Sequence, residues 1–223
     1  MRKRRGLAIA AWLLGPLGLV LLVVSVVYLV VRYTPATVSS DSMSPTYTIG
    51  QRILVERVGG DEVRRGDVVL YTAPERYQLN ASVMQRVVAV GGDHIVCCAG
   101  LDTPRERITV NGRPVDEPYV KDGIADGVHH PYDVTVPEGR LFVLGDHRVN
   151  SRDSRFFAED HQGTVPAAAV RGRVIHDYTV PVVLGGAALL GLVLTLTGLC
   201  FAIAAWATRR RVAPPAPPWL VQA

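Results

Sequence analysis

Four serines, Ser39, Ser40, Ser42 and Ser44, crowd into the stretch SSDSMSPT at 39–46. A serine hydroxyl attacks a carbonyl only when a neighbour takes its proton and donors receive the oxyanion that forms. Serine-rich linkers are common, but Met43 and Pro45 point to an ordered turn here. Three other segments carry residues able to serve such chemistry: RRGDVVLY (64–71), SVMQRVVAVGGD (82–93) and LGDHRVNSRDSRFF (144–157). The last holds Asp146, Arg148, Ser151, Asp153 and Arg155, which taken alone read as a solvated loop of paired charges.

The elements that must position these residues read as β-structure. Short Val- and Ile-rich runs (RILVERV, DVVLY, VMQRVVAV, HIVC, RITV, RLFVLG, RVIHDYTV) are separated by Gly, Pro and Asp. In ITVNGRPV, Asn111-Gly112 marks a tight hairpin, because both residues tolerate positive φ. No long stretch between residues 33 and 180 has helical periodicity, which predicts antiparallel sheets or a barrel. The loop from Asp122 to Tyr132 is expected at the surface.

Two uncharged apolar runs flank this region, Leu7–Val31 and Val182–Ala207. Each exceeds the roughly 20 residues a helix needs to cross a bilayer, and neither shows a polar face. The first is too long for a signal-peptide core and reads as an anchor. Arg2, Lys3, Arg4 and Arg5 precede it, and Arg209, Arg210 and Arg211 follow the second. Basic flanks of this kind place both termini (1–6 and 208–223) in the cytoplasm and residues 33–180 outside the cell membrane. The clusters hold seven of the 24 basic residues, leaving 17 against 20 acidic ones. The net charge of +4 therefore belongs to the flanks and gives no reason to expect nucleic acid. The Pro-rich tail reads as extended. Cys97 and Cys98 lack the spacing of a zinc or redox motif and read as buried thiols rather than a strained bond between neighbours. With no ligand cluster and no phosphate loop, no metal or organic cofactor is expected.

Taken in order, the four segments resemble the boxes of type I signal peptidases, membrane-bound serine proteases that remove signal peptides from exported proteins. The matches are SDSMSPT, Gly66–Val69, QRVVAVGGD (Gln85–Asp93) and GDHRVNSRDSR (145–155). The C-terminal span is similar to an actinobacterial variant. The resemblance implies Ser42 as nucleophile, with the Ser40 hydroxyl and the Ser42 N–H receiving the oxyanion. It implies that Ser151 orients the base, that Asp153 and Arg155 pair, that Asp146 sits in the loop's turn, and that Met43 helps wall the substrate pocket. It also implies cleavage after A-x-A-like sequences, the signal peptides of exported preproteins as partners, and contact with the lipid bilayer and the secretion translocon.

The departure is at the base. Bacterial members use a lysine at the first position of the third box, where this chain has Gln85. An amide cannot accept the proton. The chain has two lysines, Lys3 and Lys121, neither in a matching context, and Arg86 stays protonated and points to the other strand face. Eukaryotic relatives use histidine, which makes His147 and His94 alternatives by sequence position. The expectations are thus a signal peptidase with a compromised base position, or a non-catalytic relative that binds signal peptides or partner peptidases.

Overall fold

A computed structural model describes residues 2–77, 82–100, 103, 106–127 and 131–210. Residues 211–223 of the tail, and His129 and His130 of the 122–132 loop, lie outside the described residues. The chain divides into a helical unit (residues 1–31 and 177–223) and a β unit, Arg32–His176.

The helical unit is built on α1 (Arg2–Arg32) and α2 (Thr179–Arg210), which contain the two apolar runs and extend beyond them. Both are long and apolar enough to cross a membrane. They touch backbone to backbone. A Cβ added at Gly18 would lie 2.6 Å from the Gly191 carbonyl oxygen, and one at Gly198 would lie 2.5 Å from the Gly15 nitrogen. In a bilayer, where apolar helices share no water-driven attraction, such close approach would supply the van der Waals contact that holds them.

The β unit has eleven strands: β1 (Tyr33–Thr37), β2 (Arg52–Glu56), β3 (Val68–Thr72), β4 (Ser82–Val90), β5 (His94–Ala99), β6 (Arg107–Val110), β7 (Arg113–Pro114), β8 (Tyr132–Thr135), β9 (Arg140–Leu144), β10 (Val165–Pro166) and β11 (Val170–Val174). One sheet runs β1-β2-β11-β3-β4-β9-β10 and the other β7-β6-β5-β8, with every pairing antiparallel. Neither sheet closes among the described residues, so the barrel-like alternative gives way to two open sheets. Proline explains three of the open edges. Pro35, Pro114 and Pro166 sit in the edge strands β1, β7 and β10, and each withholds the N–H that further pairing needs.

The Asn111-Gly112 hairpin forms as the sequence predicts, with both residues at positive φ between β6 and β7. β4 is covered on both faces. Val87 packs in a cluster with Val69, Tyr71 and Val143, while Val88 and Ala89 pack with Ile95, Ile108 and Phe142. A bulge between Val87 and Ala89 lets one strand serve both clusters. Cys97 and Cys98 are joined to each other by a disulfide, which corrects the expectation of two thiols.

Candidate active site

The serine turn is ordered, as Met43 and Pro45 suggested. Ser44 N–H donates to the Asp41 carbonyl at 3.1 Å and Tyr47 N–H to the Met43 carbonyl at 2.9 Å. Met43 anchors the turn from below. It is fully buried among Val38, Tyr47, Ile53, Val55 and Val68, so it supports the serines and does not wall a substrate pocket. Above it, Ser40 Oγ and Ser42 Oγ lie 3.0 Å apart. Both open into a groove of about 720 Å³ whose apolar lining includes Ala36, Ile53, Leu70, Val83 and Met84.

The loop after β9 is clamped to this turn. His147 N–H donates to the Ser42 carbonyl at 3.0 Å, and His147 Nδ1 lies 2.8 Å from Asp41 Oδ2. Asp146 accepts two bonds from Arg86, at 2.8 and 2.6 Å, and a third from Thr46 Oγ1. The aspartate expected merely to shape a turn is thus a wholly buried anchor joining β4, the serine turn and the loop. Gly145 must be glycine. A Cβ there would fall 2.2 Å from Ser151 Oγ and 2.6 Å from the Ser42 carbonyl oxygen.

Deeper in the loop, Asp153 pairs with Arg155 at 2.8 Å, both side chains fully buried. Arg155 also reaches Asp126 Oδ1 at 2.9 Å and the Arg148 carbonyl at 2.7 Å, while Asp153 Oδ2 accepts the Gly145 N–H. This is the expected ion pair, extended by Asp126, which the sequence did not single out.

Gln85 lines the groove but its amide is committed elsewhere. Its Oε1 accepts from the Tyr71 hydroxyl at 2.6 Å, and its Nε2 donates to the Arg152 carbonyl at 2.8 Å. The Tyr77 hydroxyl donates to the same carbonyl at 2.7 Å. Burial pushes the Tyr71 phenol well above its ordinary value and raises Tyr77, so both remain neutral donors. Ser151, expected to orient a base, has a buried hydroxyl with no hydrogen-bond partner among the described residues. The other base alternatives are not in the groove. His94 pairs with Asp133 on the second sheet, His147 faces Asp41, and neither they nor Lys121 line it. The tyrosines were the signal missed in sequence. Strand pairing sets Val69 opposite Gln85, and alternation then returns Tyr71 to the same face.

The matched family model, the signal peptidases of peptidase family S26, spans residues 9–179. The chain belongs to this family. It is 32% identical over 207 residues to a signal peptidase I of Mycobacterium tuberculosis, covering 69% of each protein. It is 34% identical over 134 residues to a signal peptidase I of Bacillus licheniformis, covering 55% of this chain and 66% of that protein. A crystal structure of a signal peptidase I from Enterococcus faecalis aligns with a TM-score of 0.39 at 26% identity, covering 51% of this chain and 97% of that one. Within a signal peptidase frame, the structure brings Ser40, Ser42 and Gln85 to one groove, with Asp146, Ser151, Asp153 and Arg155 behind it.

Proposed function

We propose that the chain is a two-pass membrane peptidase that removes signal peptides from exported preproteins, with Ser42 as nucleophile. Both termini lie in the cytoplasm and the β unit lies on the outer side, where it meets the bilayer, the translocon and the emerging preprotein. The Ser40 hydroxyl and Ser42 N–H receive the oxyanion, and the small apolar wall of the groove selects A-x-A-like sites. The observation that carries this reading is the pair of hydroxyls 3.0 Å apart at the groove, on a turn pinned from three sides.

Position 85 favours a second reading, a silenced relative that holds signal peptides without cutting them. Both ends of the Gln85 amide are occupied, and no amine or imidazole lines the groove among the described residues. Loss of a general base lowers rates by about 10²–10⁴-fold. Cleavage of an Ala-x-Ala preprotein by full-length protein in detergent separates the two. Wild type that cuts while Ser42→Ala does not supports the working peptidase. Cutting by Gln85→Lys alone supports the silenced one. No cleavage and no signal-peptide binding by any variant would sink both.

A further inference from the structure

Arg152 is the one charged residue among the described residues that line the groove. Its backbone is fixed there, since its carbonyl accepts from both Gln85 Nε2 and Tyr77 Oη. Its side chain is exposed and rests over the Phe157 ring, 5.1 Å from the centroid. A second guanidinium, that of Arg76, lies 4.8 Å from the same ring. The two cations differ in burial and in partners. Arg76 pairs with Asp160 at 2.6 Å, whereas Arg152 has no carboxylate partner among the described residues. The nearest acid in sequence, Asp153, is buried and committed to Arg155. The described lining of the groove is therefore uncharged except for Arg152, whose guanidinium has no carboxylate partner among the described residues.

We infer that Arg152 is a specificity residue that selects a carboxylate in the peptide segment occupying the groove. Resting on the signal-peptide reading, the inference narrows the substrate class to Ala-x-Ala peptides with an Asp or Glu beside the small residues. A guanidinium offers paired N–H donors in a planar fork that matches a carboxylate. Arg152 is also free to turn toward one, because its structural bonds are made by its carbonyl and survive side-chain replacement.

The test is equilibrium binding of short labelled Ala-x-Ala peptides to full-length protein in detergent, in a Ser42→Ala background that keeps them intact. Asp is walked through the positions flanking the small residues, with the isosteric Asn peptide as control at each. At one or two positions Asp should bind about fivefold more tightly than Asn, the gain of a partly exposed ion pair, and the gap should shrink in high salt. Arg152→Ala should abolish the gap between the Asp and Asn peptides, Arg152→Lys should keep part of it, and Arg152→Glu should transfer the preference to a Lys peptide. Equal Asp and Asn affinities at every position, or a gap that survives Arg152→Ala, would overturn the inference while leaving the groove's function intact. Failure of all peptides to bind, neutral ones included, would remove the signal-peptide reading and this inference with it.

Discussion

Removing the Asp153 carboxylate should unfold the β unit far more readily than its size suggests. Asp153 and Arg155 are both fully buried, and breaking such a pair typically costs about 3–5 kcal/mol because a charge is left without compensation. Two details adjust that figure. Arg155 keeps Asp126 and the Arg148 carbonyl, which places the ionic part at the lower end. The Gly145 N–H loses its acceptor, which adds about 1–3 kcal/mol for an unsatisfied buried donor. Asp153→Ala should therefore lose about 4–6 kcal/mol. Asp153→Asn, which keeps an oxygen for one of these bonds, should lose about 2. Arg155→Met should be worse than either, since it leaves the Asp153 carboxylate fully buried without its cation. Urea unfolding followed by tyrosine near-UV circular dichroism reports mainly on this unit, because six of the eight tyrosines lie within residues 32–176. The reasoning is refuted if Asp153→Ala and Arg155→Met lose equal, small amounts, or if their effects simply add in the double variant.

Two further outcomes follow from other parts of the structure. Burial pushes the Asp93 carboxyl up, but the Val90 N–H, the Asn111 amide and Arg65 outweigh it and hold the group below the usual carboxylate range. The stability it contributes is complete above the unfolded value of about 3.9 and is lost as pH falls below that, so Asp93→Asn should flatten the acid limb of the stability profile while changing its slope little at neutral pH. Met43→Ala, which empties a fully buried site beneath the serine turn, should cost about 2–5 kcal/mol in the same urea assay and reduce any Ser42-dependent cleavage.

Much of the fold was legible because strands announce themselves through Val and Ile runs, and the Asn111-Gly112 turn through its backbone requirement. The two helices followed from length and apolarity alone. What stayed hidden depends on partners distant in sequence. Met43 was expected at a pocket wall from the family resemblance alone, but Ile53, Val55 and Val68 close over it. Asp146 looked like a turn residue because its partners Arg86 and Thr46 lie 60 and 100 positions away. Open edges in place of a barrel turn on Pro35 and Pro166, which read as ordinary loop punctuation until their strands are placed last in the sheet. Gln85 was legible as a missing base. That its amide would hold Arg152 in place was not, because the link runs through a backbone carbonyl, which every residue has.

The glutamine has one more effect on the groove. A lysine there would gain or lose a proton with changing acidity, and the recognition surface would change charge with it. With Gln85, the described lining holds serines, threonines, amides, aliphatic groups, a phenol raised by burial and one guanidinium. None of these groups changes protonation between about pH 5 and 9. The described lining of the groove is therefore electrically constant across that range. A slope in the pH dependence of peptide binding would then come from groups outside this lining or from the peptide itself.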